Sequence, residues 1–354
     1  MKITRCILLT MVAALGGCTS GQQQQEKAVA FTLDDFETVD LVMSDGEAIT
    51  SDTLVVGGIA SVIPLNDSIV AFKNWRDKKD QVYFVNTNTG VVKSTLHYGE
   101  GPLETLAVCD MWESDGAVIA VGWGDRKVMR IEVDPSTLDA TVAHIGSIPG
   151  DIMRVGQMSD GHYVIAPREK GVRLRKLDSS GTLLTDTLGA FPPVKMAEAD
   201  ALSNMDVQTT MATSPDGSKL VSAYFELPWI EIYDSNLRNR VVVKAPVDAE
   251  FEITEKQIGE FTLETLTPRY MFYQSVTTFD GGFAVEYQGA EIKGPDDFDR
   301  PWTTVLTFDY DGNPLKMYRF DQGVVSISMD RSGKAIYAVM DNPEPHIRKF
   351  TLDQ

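Results

Sequence analysis

Tryptophan and arginine side chains recur together in stretches that are predicted to be loops. Four of the five tryptophans fall in such stretches, and four arginines lie beside them or in equivalent loops. An indole ring offers a large, rigid contact surface and a guanidinium group offers a fixed fork of donors, so the combination is typical of ligand recognition. The alternative is that the rings pack between strands while the charges solvate the loops. The candidate binding residues are Trp75, Arg76, Trp123, Arg126, Arg168, Trp229, Arg300 and Trp302.

Residues for covalent or metal chemistry are sparse. The sequence has no G-x-S-x-G nucleophile motif, and the four histidines do not show the spacing of a zinc site; they are His97, His144, His162 and His346. The segment DYDGNP, from Asp309, begins like a calcium loop but has proline where the invariant glycine is required, so we predict a hairpin turn. We therefore expect no catalytic residues, no metal and no cofactor.

The start of the chain carries an export signal. Lys2 and Arg5 precede an apolar run from Cys6 to Leu15, which is about ten residues long and too short to cross a bilayer. The following LGGC resembles a bacterial lipobox, in which Cys18 would be acylated after cleavage. Ordinary secretion without an anchor is the alternative.

Three segments are predicted from this signal: a signal peptide over residues 1–17, a lipidated, glutamine-rich tether over residues 18–35, and the folded domain over residues 36–354. Acyl chains would hold the protein at a membrane surface without spanning it, so we expect a lipid-anchored protein of the cell envelope, on the outer membrane. The formal charge of −19 disfavours nucleic acid as a partner, since both would be anionic. Cys109 is the one cysteine beyond Cys18, and its apolar neighbours predict a buried, inert thiol.

A turn followed by a strand rich in β-branched residues recurs along the chain, as in TSPDGSKLVSA from Thr213. The corresponding turns centre on Asp67, Asp115, Asp160, Asp216, Asp280 and Ser332. They are 45 to 64 residues apart, and a second turn within each unit divides it into four short strands. This predicts an all-β fold, a six-bladed β-propeller with four antiparallel strands per blade. An open β-solenoid is the alternative, but its repeats are shorter.

The last unit ends after its third strand and needs an outer strand from elsewhere. The run FETVDLVM, residues 36–43, has strand character and no partner nearby in the sequence. We predict that this N-terminal strand pairs with residues 345–352, completes the last blade and closes the ring, which would remove an exposed sheet edge.

Two sequence elements resemble a known family. SPDGSKLV is similar to the repeat of TolB-like propellers, and YGEGPLE is similar to the G-x-G-P-x-E segment of TolB-like six-bladed β-propeller lipoproteins of bacterial envelopes, with Gly99, Gly101, Pro102 and Glu104 as the matching residues. The resemblance extends from about residue 36 to the end, although the first and last units have NDS and RSG in place of a DG turn. It implies an envelope propeller and assigns no activity.

In a propeller, the loops between the second and third strands of each blade share one rim with the connections between blades. Here that rim has the longer loops and carries the candidate residues. Two long connections, residues 189–206 and 245–270, lie on the same side, and we predict a short helix over residues 254–266. We expect this rim to bind a protein, peptide or glycan of the envelope, with the protein a monomer.

A catalytic alternative is open at this stage. Propellers similar to lactonases place acidic ligands from several blades around a metal in the central channel, and such residues have no local spacing. Glu226 and Asp297 are side chains of the type that such a site uses. Metal-assisted hydrolysis is therefore the alternative function, and a purely scaffolding role is a third.

Overall fold

The computed structural model describes residues 25–49, 58–76, 79–196, 201–258, 261–294, 302–341 and 344–352. Cys18, Asp297 and Arg300 lie outside the described residues, so what the sequence predicts for them stays a prediction. Within these ranges the regular elements are β-strands and two short 3-10 turns, at Leu33–Asp35 and Met43–Asp45. None of the described helical segments has the length and apolar character needed to cross a membrane.

The strands are β1 (Gln25–Ala30), β2 (Glu37–Leu41), β3 (Glu47–Ala48), β4 (Ile59–Asn66), β5 (Ile69–Asn74), β6 (Asp80–Asn86), β7 (Val92–His97), β8 (Val108–Ser114), β9 (Ala117–Gly122), β10 (Lys127–Val133), β11 (Ala140–Ser147), β12 (Ile152–Gln157), β13 (Tyr163–Pro167), β14 (Leu174–Leu177), β15 (Leu183–Leu188), β16 (Lys195–Met196), β17 (Thr209–Thr213), β18 (Lys219–Tyr224), β19 (Trp229–Asp234), β20 (Asn239–Lys244), β21 (Glu252–Ile258), β22 (Phe261–Thr267), β23 (Tyr270–Phe279), β24 (Gly282–Glu291), β25 (Thr303–Phe308), β26 (Pro314–Phe320), β27 (Ser326–Met329), β28 (Ala335–Met340) and β29 (His346–Thr351).

These strands form seven sheets in the described part of the chain. Six are antiparallel meanders of consecutive strands, numbered here in chain order: sheet 1 is β4–β7, sheet 2 β8–β11, sheet 3 β12–β15, sheet 4 β17–β20, sheet 5 β23–β26 and sheet 6 β27–β29. The seventh, called the small sheet, consists of β16, β21 and β22. The all-β prediction is therefore confirmed, and the meandering unit predicted from the turn spacing is present.

Neighbouring sheets pack face to face through aliphatic and aromatic side chains. Sheets 4 and 5 share a core that includes Tyr224, Phe272 and Phe283. Sheets 1 and 6, the first and last in the chain, share a core in the same manner, with Ile59 of sheet 1 in one cluster with Tyr337 of sheet 6. Because both faces of a sheet are covered, its central strands are buried along their length, as the uniformly buried β9 and β28 show.

The DG turns are held by the aspartate side chain and closed by the glycine. After β17, Asp216 accepts hydrogen bonds from the Ser214 hydroxyl at 2.6 Å and from the Ser218 amide at 3.0 Å, and these bonds lower the pKa of Asp216. Gly217 has a φ of +65°, and a Cβ there would overlap the backbone of Ser159 in sheet 3. Glycine is therefore required both by the turn and by the contact between neighbouring sheets.

The predicted pairing of residues 36–43 with the last unit is wrong. β2 lies parallel to β26 on the outer edge of sheet 5, and the outer strand of sheet 6 is instead the next N-terminal strand, β3. Aromatic packing accounts for the difference. Phe36 is buried at the start of the segment, with its ring centroid 5.5 Å from that of Phe31 and 5.3 Å from that of Phe308 in sheet 5. This cluster fixes the segment at sheet 5 before the chain reaches sheet 6.

Residues 25–48 form a strap along the outer edges of three successive sheets. β1 runs parallel to β20 of sheet 4, β2 follows on sheet 5 and β3 on sheet 6. Phe31 is only 2% exposed, and Glu26 pairs with Arg240 of sheet 4. Residues 25–30 thus lie on the edge of sheet 4, and Leu33–Asp35 lies against β26 of sheet 5. The predicted tether over residues 18–35 stays a prediction.

The helix predicted over residues 254–266 is wrong. β21 and β22 form an antiparallel hairpin there, and β16 from the other long connection pairs with β21 in parallel. Phe251 and Ile253 are buried whereas Glu252 between them is exposed, and this period of two suits a strand. The two long connections thus join each other as the small sheet, which packs on the core shared by sheets 4 and 5.

Candidate functional site

The candidate binding residues that the structure describes lie in the connections between second and third strands. Trp75 and Arg76 follow β5, Trp123 and Arg126 lie between β9 and β10, Arg168 follows β13, Trp229 begins β19 and Trp302 precedes β25. In a meander these connections lie at the same end of a sheet as the start of its first strand. We call that end the loop-rich rim.

Trp123 and Arg168 are brought together from sheets 2 and 3. The guanidinium carbon of Arg168 lies 4.9 Å from the centroid of the Trp123 ring, which is a cation–π contact. Arg126 and Arg168 both approach Asp151, each with a nitrogen 3.5 Å from a carboxylate oxygen. Trp123 is still 41% exposed, so the contact orients the ring and leaves part of its surface accessible.

Trp75 and Trp302 are more exposed than Trp123, at 58% and 65%. Trp75 contacts Arg76, the next residue in the chain, with the guanidinium carbon 4.6 Å from the ring centroid. That pair comes from a single loop, whereas Trp123 and Arg168 come from two sheets. Among the described residues, the cation–π contacts therefore join the predicted side chains in two pairs, Trp75 with Arg76 and Trp123 with Arg168.

Trp229 is half-buried beneath the small sheet. Its ring centroid lies 6.0 Å from that of Phe251, and the Lys244 ammonium is 5.9 Å from the ring. Phe251 belongs to the connection that continues into β21, so the small sheet covers the indole. For Trp229 the geometry favours the packing interpretation over ligand contact.

A polar cavity of about 500 Å³ lies where the six numbered sheets meet. Its walls come from the first strand of every one of these sheets, β4, β8, β12, β17, β23 and β27, together with Lys73 of β5 and Trp123 of the loop-rich rim. The volume falls in the range of small-molecule sites. Each first strand runs from the loop-rich rim towards the tight turns, so its first residues lie near that rim. We call this space the axial cavity.

Three ionisable side chains form a cluster in the half of the axial cavity nearer the loop-rich rim: Lys73, Asp110 and Arg154. Asp110 accepts a 2.9 Å hydrogen bond from the Val155 amide. Burial lowers the pKa of Lys73 and the Asp110 charge opposes that shift, while burial raises the pKa of Asp110 against the opposing effect of Arg154. Sequence reasoning missed this cluster, because its members are 37 and 44 residues apart and lie on three sheets.

Cys109 is next to this cluster and is not suited to nucleophilic chemistry. Burial, followed by the neighbouring Asp110 charge, raises the pKa of its thiol to about 12. The sulfur also donates to the Val121 carbonyl at 3.3 Å. A thiol that stays protonated at neutral pH is a weak nucleophile.

The described residues give no support to metal-assisted hydrolysis. No three His, Cys, Asp or Glu side chains within the described ranges are close enough together to hold a metal ion. Glu226 is paired with Arg269 at 3.2 Å. Of the histidines, His97 pairs with Asp80, which is a contact between neighbouring strands of sheet 1.

Meandering sheets that pack face to face, with their first strands around an axial cavity, define a β-propeller. The predicted fold class is confirmed at this level. The seven sheets do not confirm that the propeller has six blades or that its ring is closed.

Comparison with known proteins adds similarity of fold. The sequence matches no protein-family model and has no significant match among curated proteins. A Bacteroides fragilis protein described as exported has a similar structure, with a TM-score of 0.53 and 10% identity over 93% of this chain and 100% of that one. A member of the DUF4221 family from Bacteroides vulgatus has a TM-score of 0.51 and 10% identity over 87% and 94% of the two chains. At such identities the likeness shows the fold alone.

Proposed function

We propose that the protein is a lipid-anchored, six-bladed β-propeller of the TolB-like type in a bacterial envelope, and that it binds an envelope protein, peptide or glycan at its loop-rich rim. The observation that carries the proposal is the Trp123 ring, held by Arg168 across two sheets and lining a polar axial cavity. A partly exposed aromatic ring beside a guanidinium group, at the wall of a polar cavity, is typical of a ligand site.

Six blades are supported by the strand order. Each numbered sheet has the meander of a blade, and the small sheet is then an insertion made by the two long connections. The core shared by sheets 1 and 6 supports a ring in which the first and last blades meet, with β3 as the outer strand of the last. The TolB-like assignment rests on the SPDG repeat and on the G-x-G-P-x-E segment, residues 99–104.

The envelope location is supported by the export signal and by the lipobox, and one protein of similar fold is described as exported. Acylation at Cys18 would make the full chain sediment with membranes until detergent is added. Cys18→Ser should therefore move most of the protein into the soluble fraction, measured by fractionation and immunoblotting. The matched variant Cys6→Ser should leave the distribution unchanged. Sedimentation of Cys18→Ser with the membranes would contradict the anchor.

Trp123→Ala tests the binding site. The substitution removes the ring that Arg168 orients, and we expect capture of envelope components by the immobilised protein to fall at least about fivefold, since central aromatic residues dominate binding surfaces. Quantitative mass spectrometry of the captured fraction measures the loss. The free energy of unfolding should change by less than about 1 kcal/mol, because the ring is exposed on one side.

Trp302→Ala is the matched control for that experiment. Trp302 is more exposed than Trp123 and lies on the same rim, but it does not line the axial cavity. The control should capture the same components as the unmodified protein, and that result would remove Trp302 from the candidate binding residues. Equal losses in the two variants would show only a general role for exposed aromatic rings, and unaltered capture by Trp123→Ala would refute the proposed site.

A further inference from the structure

We propose that Lys73 and Arg154 bind a carboxylate group of the ligand inside the axial cavity. This inference rests on the proposed function and specifies the chemistry of its ligand. The two cations reach the cavity from different sheets, Lys73 from β5 of sheet 1 and Arg154 from β12 of sheet 3. Asp110, on β8 of sheet 2, belongs to the intervening sheet.

Neither cation forms an ion pair with a described residue, although the Asp110 charge acts on both. The Lys73 ammonium makes no hydrogen bond or ion pair with the described residues. The Arg154 guanidinium makes one hydrogen bond, from Nη1 to the carbonyl of the preceding residue, Met153, at 2.8 Å. Both side chains are half-buried and line the open space of the cavity. A charged donor without a close protein partner can there be satisfied by a bound anion. Two such groups facing one cavity therefore indicate a site for an anion.

The surroundings of Lys73 favour an added negative charge. Burial lowers the pKa of its amine, which means that the cavity penalises the ammonium form. Asp110 offsets this penalty only in part, because burial dominates the shift. An anion placed beside the ammonium would stabilise it further and would raise the pKa of Lys73 again.

The balance of charge in the cluster favours a monoanion. With Asp110 ionised, Lys73 and Arg154 provide two positive charges against its one negative charge, while the Cys109 thiol stays neutral because its pKa is raised to about 12. A single carboxylate brings the net charge of the cluster to zero, and its two oxygens match the planar donor fork of a guanidinium. A phosphate dianion would be repelled more strongly by Asp110.

The remaining polar lining suits a ligand with further hydrogen-bonding groups. Ser61, Thr210 and Ser326 each lie among the first three residues of a first strand, on the same side of the cavity as the cluster. Hydroxyl groups both donate and accept. An acidic sugar and a peptide C-terminus each combine a carboxylate with such groups, and the Trp123 ring could stack on either.

Binding of defined carboxylates to the purified full chain in detergent tests the inference. D-glucuronate and N-acetyl-diglycine represent the two sources, with D-glucose and N-acetyl-diglycine amide as their neutral counterparts, compared by isothermal titration and saturation-transfer NMR. We expect at least one carboxylate to bind and its neutral counterpart to bind at least about tenfold more weakly. Whichever carboxylate binds identifies the source.

Variants locate the binding. Lys73→Met and Arg154→Gln should each weaken carboxylate binding at least about tenfold, since each removes a charge-assisted contact. Arg331→Gln is the matched control, because Arg331 follows β27 at the tight-turn end of the same cavity and is paired with Asp280 at 3.2 Å. This variant should bind the carboxylate as the unmodified protein does.

The inference would be overturned if neither carboxylate bound, or if a carboxylate and its neutral counterpart bound equally well. Tighter binding of glucose 6-phosphate than of glucuronate would also overturn it. So would unchanged carboxylate binding by Lys73→Met. The urea midpoint of Lys73→Met should equal or exceed that of the unmodified protein, because the substitution removes an ammonium group that its surroundings penalise. A lowered midpoint would assign a structural role to Lys73 instead. The proposed function fails separately, when Trp123→Ala captures normally.

Discussion

Arg173→Met is expected to lower the free energy of unfolding by about 3–5 kcal/mol, because it leaves part of a buried ionic network without its cation. Arg173 is 1% exposed and donates to Tyr224 at 2.8 Å, Asn204 at 2.9 Å, Ser222 at 2.6 Å and Glu231 at 2.9 Å. Arg173 immediately precedes β14, so its guanidinium joins sheet 3 to β18 and β19 of sheet 4. Methionine fills a similar volume but satisfies none of these acceptors. Urea unfolding followed by tryptophan fluorescence measures the loss.

Two further variants decide whether the loss comes from the network. Glu231 also accepts from Arg240 at 2.9 Å, so Arg173→Met/Glu231→Met should be less destabilised than the sum of the single variants. Arg175→Met, two residues along the chain, breaks a more exposed pair with Glu169 and should cost less than about 1 kcal/mol. If Arg173→Met cost no more than Arg175→Met, the network would not be a stabilising junction between the sheets.

Arg173 also shows where prediction from sequence ends. Its segment, PREKGVR from residue 167, has the charged composition of a solvated loop between a second and a third strand, and this predicts a position on the loop-rich rim. Arg168 at its start does lie on that rim, whereas Arg173 at its end is enclosed. The difference arises from Asn204 and Glu231, which are distant in sequence and supply the acceptors. Composition alone cannot distinguish the two arginines.

The parts of the fold that could be predicted depend on local chemistry. A DG turn such as Asp216–Gly217 is specified by hydrogen bonds within a few residues and by a positive φ, so its recurrence marked the meandering units. The outer strands could not be predicted in this way. No short turn connects β2 or β3 to the strand with which it pairs. The burial of Phe36 places β2 on sheet 5, and β3 then follows on sheet 6.

The candidate site, too, could be predicted only where its features follow from local sequence. The positions of the tryptophans at the loop-rich rim follow from the strand order, but their exposure does not. Trp229 is covered because Phe251, three residues before the segment predicted to be a helix, approaches it. Lys73 and Arg154 gave no local signal, since each is a single charge in an otherwise ordinary strand. Only the packing of several sheets around one axis brings them into the same cavity.

Lys127→Met is expected to lower the free energy of unfolding by about 2–3 kcal/mol, because its ammonium organises the G-x-G-P-x-E segment between sheets 1 and 2. Lys127 donates to the carbonyls of Gly101 at 2.7 Å and Glu104 at 2.9 Å, and it pairs with Asp125 at 3.3 Å. The Glu104 carboxylate accepts from the Gly101 amide at 2.8 Å, and a Cβ at Gly99 would overlap that carboxylate. The G-x-G-P-x-E residues thus form a folded connection around the Lys127 ammonium. Urea unfolding measures the expected loss.

Lys93→Met is the control for Lys127→Met. Lys93 pairs with Asp139 at 2.6 Å on the exposed side of sheet 1, so its removal should cost less than about 0.5 kcal/mol. Because the G-x-G-P-x-E residues are not among those lining the axial cavity, the folded fraction of Lys127→Met should bind carboxylate with unchanged affinity. Equal stability of the two variants would contradict a structural role for the segment. Loss of carboxylate binding at full stability would instead place the segment in the ligand site.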